Sequence, residues 1–462
     1  MAFNKVNKKF GGYEELFDNV SNLCFVAESA PVRKDAWWVF SRISRYFIDY
    51  LRYLDPAFAG FSKIKDRASR RIPAFFDRVA SFIVFPGMLK FLISVFKSIE
   101  KAIPSCRQID NFIEKFNPDI MLVTPYVDLA SEQVDYIKSA VKLGISNGYC
   151  VASWDNLTSK GLIKIEPQAV ILWNDLQKNE AVRFHNVPES KIFVTGAQCY
   201  DQWFAWKPSL PRAEFLEKSG LKSGNYALYL CSSKFISQKE VAFIKDWIRA
   251  MRMSEIESIK NLGILIRPHP QNSLQFSGVD FSEYENIAVY PRSGDNPVCD
   301  RSKSVYFDSL FYSSVVVGIN TSAMIEAGIL GKPVLSLELP GMADSNKGTM
   351  HYHYLKEGGL LFTDESFESH INRLNHILSG DESYENGLNE FVKKFVRPHG
   401  IDRACTPLVV QAIEKIAVQP QTTQSDSVFA KMAQWAFFPV AIICHAVYTL
   451  LKSYSKNLEN ES

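Results

Sequence analysis

Residues 315–337 constrain the fold of this chain more than any other stretch, because a strand, a loop, a helix and a second strand follow one another closely there. Val315–Ile319 is an apolar, β-branched run that is typical of a buried parallel strand. Ala323–Leu330 consists mostly of helix-forming residues, and Gly331 suits the left-handed position after a helix end. Val334–Leu337 then begins another strand. The stretch therefore predicts a β–loop–α–β unit within a parallel α/β domain.

The loop of this unit carries three residues that can each cap a helix N-terminus, namely Asn320, Thr321 and Ser322. Backbone N–H groups and hydroxyls at the start of a helix suit an anion, above all a phosphate. Glu326 follows one turn later on the Ser322 side, where its carboxylate could accept hydrogen bonds from a ribose. A capped helix without any ligand would show the same residues, so the loop alone leaves both interpretations open.

A second stretch favours the ligand-binding interpretation. The strand-like run Gly263–Ile266 leads into Arg267 and then His269, which stands between two prolines. The prolines stiffen the turn, and side chains at the carboxyl end of a parallel strand lie where open α/β sheets bind ligands. Another strand begins at Tyr226 and ends at Ser232, which is expected at the same edge. A histidine there is more often structural, but its neighbours favour a site.

Composition narrows the class of protein further. The chain has 462 residues, which favours two domains, and its net charge of +2 gives no electrostatic reason to expect nucleic acid as a partner. The eight cysteines form no Cys-x-x-Cys pair, so zinc or redox motifs are not expected and no metal is predicted. Since the N-terminus lacks an apolar signal core, we expect the protein in the cytoplasm.

Strands and helices alternate from Asp119 onwards, which predicts parallel sheets with right-handed crossovers. Two strand-end loops in this part carry acids, Asp128 and Asp155, and either could serve as a general base or simply as a turn or cap residue. The predicted organisation is an N-terminal α/β domain over 1–206 with a helical insertion at about 35–102, a linker over 207–225, a C-terminal α/β domain over 226–418, and a spacer with an apolar helix over 419–462.

Two segments indicate contact with a membrane. The region 35–102 is rich in aromatic and basic residues at helical spacing, which fits either a helical part of the first domain or an amphipathic surface on anionic lipid. Met432–Leu451 is almost wholly apolar, with Lys431 and Lys452 on either side. It could span a bilayer, lie at its interface, or pack against a partner such as a second copy of the chain.

The layout of two α/β domains, with Glu326 inside Gly318–Pro333, resembles the GT-B class of nucleotide-sugar glycosyltransferases. The same unit is found in UDP-N-acetylglucosamine 2-epimerases and CDP-glycerol transferases. The Arg267–Pro270 turn resembles the His-Pro motif of bacterial transferases that use CMP-sugars in capsule and lipopolysaccharide assembly. The resemblance implies two Rossmann-like domains that face each other across a cleft, with an added N-terminal helical region and a C-terminal apolar helix.

The resemblance implies a glycosyltransferase that moves a sugar from a nucleotide donor, CMP- or UDP-linked, to a surface glycan or lipid-linked acceptor at the inner face of the cell membrane. The donor is a substrate, so no cofactor is expected. The implied donor-binding residues are Arg267, His269, Ser232, Asn320, Thr321, Ser322 and Glu326, and the implied catalytic residues are Asp155, Asp128 and His269. The alternatives are an epimerase or a glycerophosphotransferase on the same scaffold, or a membrane scaffold without activity. Many retaining glycosyltransferases of this class carry a second glutamate further along the same unit. In this chain the corresponding place, near Pro333–Val334, is apolar.

Overall fold

The computed structural model describes residues 30–83, 85–222, 224–339, 348–419 and 427–461. The predicted strand at Leu23–Ala27, most of the polar loop predicted from Gly341, and most of the spacer from Pro420 lie outside the described residues. The described chain divides into two compact units. The four-stranded unit comprises 30–196 and the described residues from 404 onwards, and the six-stranded unit comprises 197–403.

The four-stranded unit is built on a parallel sheet of consecutive strands in the order β1-β2-β3-β4. The strands are β1 Ile120–Val123, β2 Ser146–Cys150, β3 Ala169–Leu172 and β4 Ile192–Val194. The alternation of strands and helices predicted from Asp119 onwards is thus present. Their buried side chains form a continuous core with helices on the sheet, which is the arrangement that parallel strands require.

The helices of this unit fall into an N-terminal layer, a set of crossover helices and two C-terminal helices. They are α1 Trp37–Arg52, α2 Ser62–Ser69, α3 Ala74–Ile83, α4 Pro86–Ala102, α5 Arg107–Phe116, α6 Gln133–Leu143, α7 Asn156–Ser159 and α8 Asp175–His185, and at the C-terminus α17 Thr406–Ala417 and α18 Val428–Glu461. The helical N-terminal region and the long C-terminal helix predicted from the sequence are thus present.

The division of the chain differs from the sequence-based boundary at 418. Helix α17 returns to the four-stranded unit, because Val409, Ala412 and Ile416 pack on Ala169 and Ile171 of β3. The apolar side of this helix would be exposed if it stayed with the residues that precede it. The unit that contains the second sheet therefore ends at residue 403.

The six-stranded unit has a parallel sheet in the order β10-β9-β8-β5-β6-β7. Its strands are β5 Tyr226–Leu230, β6 Gly263–Arg267, β7 Ile287–Val289, β8 Val315–Gly318, β9 Val334–Leu337 and β10 Leu361–Asp364. The chain runs outward from β5 to one edge and then restarts beside β5 and runs to the other. This is the doubly wound order of a Rossmann fold, and the reversal lies between β5 and β8.

The helices of the six-stranded unit connect these strands, and the predicted β–loop–α–β unit is confirmed. They are α9 Arg212–Ser219, α10 Glu240–Arg252, α11 Glu257–Lys260, α12 Asp300–Phe311, α13 Ala323–Ile329, α14 Met350–Glu357, α15 Phe367–Leu378 and α16 Glu385–Phe391. Gly331 has a φ of 70°, the left-handed conformation expected after α13. The expected linker 207–225 contains α9 and belongs to this unit.

Candidate functional site

The carboxyl ends of three strands meet in one row of the six-stranded sheet. Leu230 at the end of β5 pairs in register with Arg267 on one side and with Gly318 on the other. A Cβ added at Gly318 would come within 2.8 Å of the Leu230 carbonyl oxygen, so glycine permits this close approach. Because successive strands are added to one side of β5 and then, from β8 onwards, to the other, the loops after β5 and β8 diverge and leave a crevice.

A pocket of about 310 Å³ occupies this crevice. Its volume is at the lower end of the range for small-molecule sites, about 300–1,000 Å³. The loops after β5, β6 and β8, the turn before α12, and α12 and α13 supply its walls. The lining residues are Leu230, Cys231, Arg267, Pro268, His269, Pro270, Gln271, Asp295, Asn296, Pro297, Tyr306, Thr321, Ser322, Ala323 and Glu326.

Arg267 is the cation of this pocket. Its side chain is buried at 5% exposure, and its guanidinium lies 4.7 Å from the ring centroid of Tyr306. Neither terminal nitrogen has a hydrogen-bond partner among the described residues. Burial lowers the pKa of Arg267 to about 10, although nearby Tyr306, Asp295 and Glu326 favour its charged form. The group therefore stays cationic at neutral pH, and the N–H groups of both terminal nitrogens lack an acceptor among the described residues.

Glu326 and Tyr306 form a second polar pair in the pocket. The Tyr306 hydroxyl donates a hydrogen bond to Oε2 of Glu326. Burial raises the pKa of Glu326 to about 7, while this hydrogen bond and the charge of Arg267 act in the opposite direction. The carboxyl group is therefore close to half-ionised at neutral pH, so it can accept a hydrogen bond from a ligand hydroxyl or donate one.

His269 stands in the turn after β6, as predicted from the two prolines beside it. Its Nδ1 accepts a hydrogen bond from the Gln271 N–H at 3.1 Å, which leaves Nε2 to carry the proton of the neutral ring. Burial lowers the pKa of His269. The imidazole is consequently neutral at pH 7 and presents one N–H donor, so most of the positive charge in the pocket belongs to Arg267.

The four polar residues predicted at the ends of β5 and β8 divide into two pairs. Thr321 and Ser322 line the pocket, and their role in donor binding stays a prediction. Ser232 is fully buried behind it, where its Oγ accepts the Asn320 N–H at 3.4 Å. The Asn320 side chain donates to Thr349 Oγ1 at 3.2 Å. Neither Ser232 nor Asn320 belongs to the pocket lining, and both connect the loops that shape it.

The two candidate bases lie in the four-stranded unit and differ in the exposure and hydrogen bonding of their carboxylates. Both carboxylate oxygens of Asp155 accept hydrogen bonds from its own loop, from Ser153 Oγ at 2.7 Å and Ser159 Oγ at 2.5 Å. Asp128 has a half-exposed side chain whose carboxylate receives the Lys160 ammonium at 2.9 Å. Asp155 thus acts as a loop brace in this structure, whereas Asp128 presents a reachable carboxylate. The general base stays a prediction for either residue.

The loops that carry these acids are held by helix α1, which the sequence assigned to a helical insertion. Asp49 accepts the backbone N–H groups of Ala130 at 2.7 Å and Leu162 at 2.8 Å, and it pairs with the Lys164 ammonium at 2.7 Å. Arg52 donates to the Gly161 carbonyl at 2.9 Å. The insertion is therefore part of the four-stranded unit, with one face buried against its strand-end loops.

Tyr306 and Asp295 are among the polar groups of the pocket that sequence reasoning missed. Tyr306 lies in α12, twenty residues before Glu326, and no local motif marks it. Asp295 lies at the rim, in a turn where Gly294 has a φ of 66°. The Gly-Asp-Asn-Pro composition of that turn is the signal that could have drawn attention to it. Among the described residues, no three His, Cys, Asp or Glu side chains converge to hold a metal ion.

Comparisons with known proteins return structures but no sequence relatives. No protein family matches this sequence, and no curated protein does. A UDP-GlcNAc 2-epimerase from Methanocaldococcus jannaschii is 15% identical, with a TM-score of 0.43 over 69% of this chain and 80% of that chain. A UDP-GlcNAc 2-epimerase from Neisseria meningitidis bound to UDP-GlcNAc is 14% identical, with a TM-score of 0.44 over 79% and 97%.

A third similar structure is WaaG, a glycosyltransferase involved in lipopolysaccharide biosynthesis. It is 14% identical, with a TM-score of 0.40 over 68% of this chain and 81% of that chain. The fold class itself is evident from the two parallel sheets and their helices. The α/β prediction, with its helical N-terminal region and apolar C-terminal helix, is thereby confirmed.

Proposed function

We propose that the protein is a nucleotide-sugar-dependent glycosyltransferase that acts on a glycan or lipid-linked acceptor in bacterial surface polysaccharide biosynthesis. The observation that carries the proposal is the buried guanidinium of Arg267, a residue that lines the pocket at the switch point of a Rossmann sheet and whose two terminal nitrogens have no hydrogen-bond partner among the described residues. A buried guanidinium whose terminal N–H groups lack acceptors is costly unless a ligand supplies them. A donor phosphate meets this need with two parallel hydrogen bonds.

The remaining pocket residues suit the other parts of a nucleotide. Glu326 would bind ribose hydroxyls, and its pKa near 7 lets it accept or donate. The Nε2–H of His269 and the hydroxyls of Thr321 and Ser322 would bind further phosphate oxygens. When the acceptor oxygen attacks the anomeric carbon, the bond to the donor phosphate breaks and negative charge grows on that phosphate. Arg267 and His269 would stabilise this charge, and no cofactor is required.

The acceptor hydroxyl must lose its proton to a base during the transfer. Asp128 and Asp155 stay the predicted residues for this step, and the exposed carboxylate of Asp128 makes it the stronger of the two. Whether the sugar configuration is retained or inverted depends on the geometry of this attack.

The long apolar helix α18 favours a transferase over an epimerase with the same pocket. Val428–Ser453 is long and apolar enough to cross a membrane and is almost unburied within the structure. An epimerase acts on a free nucleotide sugar and has no use for a membrane. A transferase with a lipid-linked acceptor does, and we expect the proposed activity at the cytoplasmic face of the membrane.

The proposal is tested by incubating the full-length protein and acceptor-bearing membranes with nucleotide sugars extracted from cells, and by mass spectrometry of the products. We expect nucleotide release and a sugar-extended product, both dependent on the membranes and both lost in Arg267→Met and reduced in His269→Ala. Arg249→Met, which removes an exposed arginine, is the matched control.

Two outcomes would contradict the proposal. Conversion of UDP-N-acetylglucosamine to its 2-epimer without membranes would identify an epimerase instead. Wild-type levels of surface glycan in cells that carry Arg267→Ala, His269→Ala and Glu326→Ala would identify a scaffold without nucleotide chemistry.

A further inference from the structure

Most of the large apolar side chains that are exposed in the described structure belong to three helices of the four-stranded unit, α3, α4 and α18. Phe75 of α3 is 69% exposed, Phe91 of α4 is 66% exposed, and Trp435 and Ile443 of α18 are 84% and 61% exposed. A monomeric soluble protein rarely presents so many large apolar groups together, and such patches mark interaction surfaces.

The exposed charged side chains on and next to α3, α4 and the apolar part of α18 are mainly basic. The exposed side chains between residues 70 and 102 include Arg70, Arg71, Arg78, Lys90 and Lys101. The two acidic residues of the same stretch are engaged: Asp77 accepts the Tyr50 hydroxyl at 2.7 Å, and Glu100 is fully buried beside Arg45. Within the apolar part of α18 the charged residues are Lys431 and Lys452. An apolar surface surrounded by cations is complementary to an anionic lipid bilayer.

Helix α18 does not project away from the unit. Its Phe437 stacks on Phe40 of α1 with ring centroids 5.8 Å apart, and its Tyr448 contacts Trp38 at 5.0 Å. Between them, Ala441 is fully buried against Trp37 of α1 and Ile103 after α4. These contacts extend over about three turns of α18, so this part of the helix packs against the start of α1 and the end of α4.

The position of Ala441 decides the orientation of α18 in a bilayer. Ala441 lies at the middle of the apolar stretch Val428–Ser453, so a spanning helix would put it at the bilayer centre. Its contact residues Trp37 and Ile103 would enter the hydrocarbon as well. Lys101, two residues before Ile103, and Lys34, three before Trp37, are exposed and would follow them. Charged side chains at the bilayer centre are strongly unfavourable.

A helix in the plane of the membrane avoids this cost. Trp435 and Ile443 are exposed on the side of α18 away from buried Ala441, and they can enter the acyl region while the helix axis stays at the level of the headgroups. Between α4 and α18 there is also a shallow groove of about 270 Å³, lined by apolar side chains that include Phe91, Val95 and Phe437. The groove is open to the same surface.

We infer that α3, α4 and α18 form one monotopic membrane-binding surface for anionic phospholipid, on which α18 lies in the membrane plane and does not span it. The inference deepens the membrane part of the proposed function. It is tested without any nucleotide or acceptor, so its failure and the failure of the transferase proposal are distinguishable.

The first test is co-flotation of the purified full-length protein with preformed vesicles. We expect binding to vesicles that contain phosphatidylglycerol to be at least about tenfold stronger than binding to phosphatidylcholine vesicles, because several cations face the lipid. Trp435→Glu should weaken this binding at least about tenfold, since it puts a charge into the apolar contact. Leu274→Glu, which changes an 87% exposed leucine of the six-stranded unit, is the matched control and should leave binding unchanged.

The second test concerns orientation. Ser427→Cys and Ser453→Cys place a thiol at each end of the apolar stretch, and each vesicle-bound protein is treated with a membrane-impermeant maleimide, with the wild-type chain as the background. An in-plane helix leaves both ends reactive. Protection of one end shows a spanning helix and overturns the inference. Binding that is indifferent to lipid charge and to Trp435→Glu, or a stable dimer that buries α18 and ignores vesicles, overturns it as well.

Discussion

The guanidinium of Arg267 lies 4.7 Å from the ring centroid of Tyr306, and the hydroxyl of the same tyrosine donates a hydrogen bond to Glu326. One aromatic side chain thus connects the cation and the carboxyl group of the pocket. The ring face offsets part of the cost of burying Arg267, but it provides no hydrogen bonds to the terminal nitrogens. The site is therefore organised around donors that a ligand must satisfy.

The thermal stability of the ligand-free protein should show the cost of the missing hydrogen bonds at Arg267. We predict that Arg267→Met keeps or raises the melting temperature of the ligand-free protein, because a buried guanidinium without hydrogen bonds is replaced by an apolar side chain of similar length. Differential scanning calorimetry of the two proteins measures the effect. A melting temperature lowered by many degrees would show that Arg267 is a structural residue with partners in the folded protein.

The pH dependence of stability should show that the pKa of Glu326 is raised in the folded protein. Its pKa in the folded protein is about 7, above the ordinary value of 4.5, so between these values the folded state keeps a proton that the unfolded state has released. Stability contributed by this proton is present at low pH and is lost as pH rises to 7. Relative to Glu326→Gln, the wild type should lose on the order of 2 kcal/mol between pH 5.5 and pH 8.

Urea titrations of both proteins at both pH values provide the measurement. Glu240 is a second buried carboxyl group whose pKa burial raises to about 7. It is present in both proteins, so its contribution cancels in the comparison. A difference between wild type and Glu326→Gln that does not change with pH would contradict the elevated pKa of Glu326.

The parts that were predicted correctly depend on short-range signals. The apolar run, helix formers and Gly331 define β8, α13 and β9 locally, and the prolines beside His269 define the turn after β6. Ser232 was misjudged because successive side chains of an extended chain point to opposite sides, and here Cys231 faces the pocket while Ser232 faces the interior.

Other features depend on contacts that are distant in sequence. Tyr306 reaches Glu326 only through the packing of α12 beside α13, and no residue near Tyr306 indicates a site. Helix α17 joins the first sheet more than two hundred residues after β3. The apolar pattern of α18 predicts a membrane helix, but the burial of Ala441, which determines how that helix lies, follows from a three-dimensional contact.

The helical N-terminal region should be essential to the stability of the four-stranded unit. Arg45 of α1 binds Asp135 of α6 at 2.8 Å and Glu100 of α4 at 2.9 Å, and all three side chains are buried. Burial alone would raise the pKa of Asp135, but the charges of Arg45 and Arg33 outweigh it and hold the pKa well below its usual range. Removing Arg45 leaves each buried carboxylate with a single cationic partner, Arg33 for Asp135 and Lys138 for Glu100.

We predict that Arg45→Met lowers the free energy of unfolding of this unit by about 3–5 kcal/mol, as expected when one member of a buried ion pair is removed. Urea unfolding followed by circular dichroism measures this loss. Lys222→Ala breaks the exposed pair with Glu285 and should change stability by less than about 1 kcal/mol. Equal effects of the two substitutions would contradict the role of the buried network.

Removal of α18 should affect the stability of the four-stranded unit and leave nucleotide binding by the six-stranded unit unchanged. The pocket and α18 belong to different units, so truncation after Val418 should leave nucleotide affinity unchanged. It should lower the melting temperature of the four-stranded unit, because Trp37 and Ile103 lose the cover of Ala441. Calorimetric binding and thermal unfolding of the truncated chain measure the two effects.

A substitution pair within α18 provides the control for this truncation. Ala441→Glu puts a charge into the buried contact and should destabilise the four-stranded unit, whereas Ala436→Glu changes an exposed position of the same helix and should not. Loss of nucleotide binding on truncation, or equal stability of the two glutamate variants in detergent, would show that α18 has a different structural role.

The central claim is that the pocket at the β5–β8 switch point binds a nucleotide through Arg267. Titration calorimetry with CMP, CDP, UDP and GDP tests it most directly, on the full-length protein and on Arg267→Met. We predict that at least one nucleotide binds at millimolar concentration or below, and that the variant loses about 10- to 150-fold in affinity, the cost of about 1.5–3 kcal/mol for a charged hydrogen bond. Failure of all four nucleotides to bind at millimolar concentration, or equal binding by the variant, would contradict the claim.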